Sequence, residues 1–188
     1  MRCFLAVPLR QPALGAAQAL LTALRDEVRD VRWARPETLH LTLHFFGAID
    51  DVRMAAALDA VRPEVQRTRP FEVVIDRLGS FPERGRPRVL WLGGPPENEP
   101  LLALAGEVRR RLRGAGFAVE DRPFRTHATL GRPREPWPRE QGAAWEHARA
   151  RGLPPVAFTA DRAVLFESVT GREAARYVER ALLPFRVA

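Results

Sequence analysis

A repeated tetrapeptide constrains the fold of this chain more than any other feature. HLTL occupies positions 40–43 and HATL occupies positions 127–130, and the two lie 127 − 40 = 87 residues apart. Other segments match at or near the same offset: Pro36 with Pro123, CFLAV (3–7) with LWLGG (90–94), and VVIDR (73–77) with FTADR (158–162), the last pair at an offset of 85. Self-similarity at a fixed spacing indicates a duplicated structural unit.

The length of 188 residues suits one domain built from two related lobes. We predict a single bilobal domain over 1–188, with an internal repeat of approximately 3–80 and 90–166. Each copy has the pattern strand, helix, His-x-Thr strand, helix, strand. The predicted helices are 12–29, 50–62, 100–113 and 138–151, and the later strands are 71–78, 156–166 and 176–183. Pro63 and Gly152 are expected to end two of the helices.

The expected fold class is therefore α+β. Its two lobes are related by a pseudo-twofold axis, and each is an antiparallel sheet with helices packed outside. The active site is expected in the cleft between the lobes.

The composition excludes several kinds of chemistry. All 30 basic residues are arginine, so a lysine Schiff base, a P-loop lysine and a lysyl-adenylate ligase are ruled out. The net charge of +7 favours a polyanionic partner such as nucleic acid. Cys3 is the only cysteine, which excludes an internal disulfide and fits a cytoplasmic location. No apolar run approaches the roughly 20 residues that a membrane span needs.

The spacing of His40 and His44 does not suit a metal site. The residues around them favour a strand, in which four residues span roughly 13 Å. One zinc ion with ligands at about 2 Å cannot bridge that distance. We therefore predict no metal and no cofactor.

Strand geometry suggests paired histidines from the two copies instead. Side chains alternate between faces, so His40, Thr42 and His44 are expected on one face, opposite Leu41, Leu43 and Phe45. His127 and Thr129 share a face in the second copy. Two imidazoles across a cleft suit general acid–base catalysis near neutral pH, and hydroxyl donors suit a phosphoryl group.

These paired motifs resemble the 2H phosphoesterase superfamily. Within it, WARPETLHLTLHFFG (33–47) and FRTHATLGR (124–132) are similar to segments of the RNA 2′,3′-cyclic phosphodiesterases, also called 2′-5′ RNA ligases. VLWLGG (89–94) and LFESVTGREAARY (165–177) also look like segments of these proteins.

The resemblance implies hydrolysis of a 2′,3′-cyclic phosphate at an RNA or nucleotide end, giving a 2′-phosphomonoester. It assigns His40 as the proton donor and His127 as the proton acceptor, with Thr42 and Thr129 binding the phosphoryl oxygens. Arg132 is a further candidate for binding substrate, although strict alternation turns it away from His127 unless the strand bends at Gly131.

His44 is another candidate for binding substrate, at a position where relatives often carry arginine or lysine. Three other functions remain open: ATP-independent 2′-5′ RNA ligation, hydrolysis of another cyclic phosphate, and RNA binding without catalysis. A monomer without membrane attachment is expected.

Overall fold

The structure is a computed structural model, and it describes residues 1–96, 98–169 and 176–186. Its helices are α1 (Ala13–Glu27), α2 (Asp51–Arg67), α3 (Glu99–Gly114) and α4 (Arg139–Arg151). Its strands are β1 (Arg2–Pro8), β2 (Val31–Trp33), β3 (His40–Ala48), β4 (Phe71–Ile75), β5 (Arg77–Phe81), β6 (Val89–Gly93), β7 (His127–Pro133), β8 (Val156–Ala160), β9 (Arg162–Val169) and β10 (Arg176–Pro184). A short 3₁₀ turn at Pro36–Thr38 precedes β3.

The helices follow from apolar residues spaced three or four apart. In α1 the buried positions are Ala13, Ala17, Leu21 and Leu24, which form one stripe against the core. Helix α2 begins after Asp50, whose carboxylate accepts a hydrogen bond from the Arg53 amide at 2.7 Å.

Two predicted helix ends had different outcomes. The prediction that Pro63 ends α2 is wrong, because the helix continues through it to Arg67. Pro63 is exposed, so its ring displaces no core side chain. The stop at Gly152 is confirmed, and this residue has the positive φ of 72° that glycine adopts readily.

Three antiparallel sheets hold the strands. Their orders are β10-β9-β1-β3, β2-β7-β6-β5 and β4-β8, and the first two are called sheet A and sheet B here. The predicted α+β class with antiparallel sheets is confirmed. Strands β3 and β7, which carry the two His-x-Thr motifs, lie in different sheets.

The closing strands of the two copies are exchanged between the sheets. The predicted strands 71–78 and 156–166 are each interrupted, at Asp76 and at Asp161. Before the interruption the two pair with each other as β4 and β8; after it, β5 pairs with β6 and β9 pairs with β1. Each large sheet thus contains strands from both copies, and we propose that 1–188 forms a single domain.

The register corrects one detail of the predicted repeat. Ala6 lies opposite Thr42, whereas Trp91 lies opposite Thr129. The first strands of the two copies therefore correspond at 91 − 6 = 85 residues, and the gapless match of 3–7 with 90–94 is wrong by two. Residues 170–175 of the segment LFESVTGREAARY lie outside the described residues.

Within the described part of the chain, none of the helices has the length and apolar character needed to cross a membrane.

Candidate functional site

A β-bulge interrupts the first His-x-Thr strand. Thr42 pairs with Ala6 and His44 pairs with Leu5, so the intervening Leu43 is an extra residue in β3. Such a bulge shifts the alternation of the side chains that follow it by one position, here His44 and Phe45. A second register shift follows at Phe46.

The second strand carries the same bulge at the matching position. Thr129 pairs with Trp91 and Gly131 pairs with Leu90, so Leu130 is the extra residue in β7. The difference 130 − 43 = 87 equals the spacing of the two motifs. Burial along the first six residues of the two strands is also identical.

The bulges change which residues face the cleft. The prediction that His44 shares a face with His40 and Thr42 is wrong: His44 is 6% exposed and lies opposite the core residue Leu5. Phe45, which was expected in the core, is 50% exposed.

Arg132 occupies the place in β7 that Phe45 occupies in β3, because 132 − 45 = 87. The bulge therefore turns it toward the cleft, and the strict alternation that would have directed it away does not hold. The departure from alternation comes from the bulge at Leu130, directly before Gly131, the residue at which the sequence suggested a bend. The equivalent positions of the two lobes thus present an aromatic ring on one side and a guanidinium on the other.

Both motif histidines are oriented by backbone carbonyls two residues earlier. His40 Nδ1 lies 2.7 Å from the Thr38 oxygen, and His127 Nδ1 lies 2.8 Å from the Arg125 oxygen. A carbonyl oxygen only accepts, so each Nδ1 carries a proton. In the neutral imidazole the free lone pair is then on Nε2, the nitrogen available to a bound molecule.

The two imidazoles also affect each other electrostatically. Burial, with a smaller contribution from a positive charge on His127, lowers the pKa of His40 to about 4. Burial likewise lowers the pKa of His127. Since each charge disfavours the other, the pair favours states with at most one added proton.

Aromatic rings hold each imidazole in place. Phe4 stacks on His40 with ring centroids 4.6 Å apart, and Tyr177 contacts its edge at 5.3 Å. Phe81 contacts His127 edge-on at 5.1 Å, and Trp91 lies 6.5 Å away. These contacts restrict ring rotation and withdraw the imidazoles from water, which is consistent with their lowered pKa values.

A cavity of about 750 Å³ brings most of the predicted residues together. Thr42, His44, His127, Thr129 and Arg132 all border it. His40 borders a smaller neighbouring cavity of about 240 Å³. The strands β3 and β7 that carry the two histidines are in contact, and the charge of His127 contributes to the lowered pKa of His40.

His44 differs from the other predicted residues at this cavity. Its ring packs edge-on against Phe46, with centroids 4.6 Å apart. Burial lowers its pKa to about 4, and the nearby Arg109 adds to the shift. His44 is therefore a neutral, packed side chain at neutral pH.

Sequence reasoning missed several residues of the two cavity walls. Arg109 and Arg125 border the larger cavity, and Tyr177 borders the smaller one beside His40. Arg109 belongs to the run RRRLR (109–113) near the end of α3. Consecutive residues of a helix point in different directions, so helical periodicity could have distinguished Arg109 from Arg110 and Arg111. Arg110 and Arg111 pair with Glu107 and Glu64.

Gly79 makes room for the Trp91 indole. A Cβ at position 79 would lie 2.1 Å from Trp91 Cζ2, so Gly79→Ala must displace the ring beside His127. We expect a loss of about 1–3 kcal/mol in the free energy of unfolding, measured by urea denaturation. Gly106→Ala is the matched control, since nothing lies within 4 Å of the added Cβ and α3 should gain about 1 kcal/mol. Equal stability of the two variants would contradict this packing.

Within the described ranges, no three or more histidine, cysteine or carboxylate side chains come together as metal ligands would.

Comparison with known sequences identifies the family. The profile of the 2′-5′ RNA ligase superfamily matches residues 12–172. The chain belongs to this superfamily. The resemblance found from the two His-x-Thr motifs is therefore confirmed.

Relatives within the 2′-5′ RNA ligase superfamily include proteins named RNA 2′,3′-cyclic phosphodiesterase. One from Archaeoglobus fulgidus is 34% identical over 132 residues, which is 70% of this chain and 72% of that protein. Another from Bacillus subtilis is 30% identical over 141 residues, covering 74% of this chain and 73% of the relative.

Solved structures of similar fold span almost the whole chain. The protein TT0787 of Thermus thermophilus is 26% identical with a TM-score of 0.79, covering 99% of this chain and 98% of that one. E. coli LigT in its apo form is 22% identical with a TM-score of 0.73 and the same coverage of both chains, a likeness of fold alone.

Proposed function

We propose that this protein hydrolyses the 2′,3′-cyclic phosphate at the end of an RNA or nucleotide, without a metal ion, and leaves a 2′-phosphomonoester. The observation that carries the proposal is the matched pair of imidazoles, each with its Nδ1–H on a carbonyl. No side chain or carbonyl of residues 1–96, 98–169 and 176–186 bonds to either Nε2. The relatives named RNA 2′,3′-cyclic phosphodiesterase support the choice of substrate.

The reaction needs one proton removed and one supplied. His127 Nε2 accepts a proton from water as the water oxygen attacks phosphorus. Protonated His40 donates from Nε2 to the 3′ oxygen as the P–O3′ bond breaks. The sum is addition of water, and the two histidines end with exchanged protonation states.

The remaining side chains bind the phosphoryl group. Thr42 and Thr129 donate hydroxyl hydrogen bonds to its non-bridging oxygens, where negative charge increases in the transition state. Arg132 supplies a guanidinium at the same cavity. The buried His44 supports the wall of the cavity and carries no charge to the substrate at neutral pH.

The pKa values of the free protein determine the expected pH dependence. The acid must be protonated, yet burial lowers the pKa of His40 to about 4 and also lowers that of His127. The fraction of free enzyme in which one of the two histidines is positively charged is therefore low at pH 8 and rises as the pH falls. We expect kcat/KM to reach its maximum below pH 6.5 and to decline toward both sides.

The experiment is a pH series of kcat/KM for a nucleoside 2′,3′-cyclic phosphate in excess chelator. The expected result is sustained turnover to the 2′-phosphate, with the maximum below pH 6.5. Loss of activity in chelator would overturn metal independence, and a maximum above pH 8 would overturn the acid–base assignment. RNA binding without turnover of any cyclic phosphate would leave only a binding function.

A further inference from the structure

A groove with a strongly positive wall opens next to the cavity of about 750 Å³, which is called the catalytic cavity here. Its volume is about 1000 Å³, and it shares Phe81, Arg122 and Arg132 with the catalytic cavity. The two spaces are therefore continuous past those three side chains. Among the described residues, five arginines and one carboxylate, that of Glu135, border it; the arginines are Arg32, Arg86, Arg88, Arg122 and Arg132.

This arginine groove crosses the end of sheet B. Its wall includes Phe81 at the end of β5, Val89 at the start of β6, Pro133 at the end of β7, and Arg32 in β2. Four strands at a spacing of about 4.8 Å give a track of about 14 Å. A stacked nucleic-acid strand advances about 3.4 Å per phosphate, so the track accommodates about four stacked nucleotides.

The arginines of the groove are poorly neutralised. Arg86 pairs with Glu135 at 3.0 Å and Arg122 pairs with Glu120 at 3.1 Å. For Arg32, Arg88 and Arg132, the described part of the chain provides no carboxylate within 4.0 Å. Their charges remain available to an anion.

Two of these arginines stand side by side at a cost to stability. Arg32 and Arg132 are directly opposed across the β2–β7 ladder. Like charges in that arrangement repel, and both side chains are exposed. A polyanion lying across the two strands would contact both guanidinium groups and relieve this repulsion, whereas a mononucleotide in the catalytic cavity reaches only Arg132 of the two.

We propose that this groove binds the single-stranded RNA that precedes the terminal nucleotide, so that the preferred substrate is an oligoribonucleotide and not a free cyclic nucleotide. This inference rests on the proposed function, because the cyclic phosphate in the catalytic cavity fixes which end of the RNA enters. Guanidinium groups hold successive phosphates and leave the bases unread. The groove therefore confers length preference without sequence preference.

The test compares two substrates in wild type and a double variant. The substrates are a nucleoside 2′,3′-cyclic phosphate and a six-nucleotide RNA ending in one, and the variant is Arg32→Ala with Arg88→Ala. We expect kcat/KM for the RNA to fall about tenfold and that for the mononucleotide to stay within twofold. The slope of log kcat/KM against log salt should decrease by about 1.4 for the RNA, from about 0.7 per lost phosphate contact.

A second double variant controls for net charge. Arg62→Ala with Arg69→Ala removes two charges in and after α2, away from both cavities, and should leave both substrates unchanged. Equal losses on RNA and mononucleotide in the groove variant, or no loss on either, would overturn the groove. If wild type turns over neither substrate, the proposed function fails. Fluorescence anisotropy with a labelled six-nucleotide RNA then tests the groove independently of catalysis. The groove inference requires the Arg32→Ala/Arg88→Ala variant to bind this RNA more weakly than the Arg62→Ala/Arg69→Ala control.

Discussion

Alanine at His40 or His127 is expected to lower kcat/KM for a 2′,3′-cyclic nucleotide by about 10²–10⁴-fold, the usual contribution of a positioned acid or base. Both side chains are half-buried, pack against aromatic side chains and are fixed through Nδ1. Water entering the vacated space cannot reproduce that positioning. Steady-state kinetics in excess chelator, with folding checked by circular dichroism, provides the measurement.

His147 provides the matched control for these two variants. It is exposed on α4, so His147→Ala should retain wild-type kinetics. The double variant of His40 and His127 should be hardly slower than either single one, because the two groups act as a unit. The paired mechanism would be wrong if the loss of kcat/KM in the double variant equalled the product of the two single losses. Near-normal turnover in either single variant would also contradict it.

Acidification is expected to destabilise the protein in part through His44. Its pKa is about 4 in the folded chain and 6.5 ordinarily, so the unfolded state binds more protons between those values. The stability associated with neutral His44 is fully present above pH 6.5 and is lost progressively as the pH falls from 6.5 to about 4. At pH 5 the loss amounts to about 2 kcal/mol.

Urea denaturation of wild type and His44→Leu at pH 7 and pH 5 measures this contribution. The decrease in the free energy of unfolding between the two pH values should be about 2 kcal/mol smaller in the variant. His147→Leu, on the exposed face of α4, should behave like wild type. An unchanged decrease in His44→Leu would show that His44 is not the titrating group.

The bulges mark the limit of what the sequence could predict about the site. Alternation predicts a shared face for His40 and Thr42 and for His127 and Thr129, and all four residues precede the bulges. In the structure Thr42, His127 and Thr129 border the larger cavity and His40 the smaller one. Alternation failed just after the bulge, at His44 and Phe45. A bulge depends on how two strands pair, and nothing in HLTLHFFG (40–47) indicates that Leu43 will have no partner of its own in β1.

The exchange of closing strands between the sheets could not be predicted from the sequence for a similar reason. The patterns of 71–78 and 156–166 predict strands but contain no information on which neighbour each will pair with. Each breaks at an aspartate followed by arginine, Asp76–Arg77 and Asp161–Arg162. The recurrence of DR was visible in the repeat, but its effect on the path of the chain depends on tertiary pairing.

That exchange also limits how the cleft can move. Enzymes that close by a hinge bend at a few linking residues between separately built bodies. Here each large sheet has a strand from the other half of the chain, so pulling the two halves of the chain apart would break the β1–β9 and β5–β6 ladders. Neither half of the chain can therefore swing as a body of its own. A change in the width of the cleft requires one whole sheet to move against the other, about the strand breaks at Asp76 and Asp161.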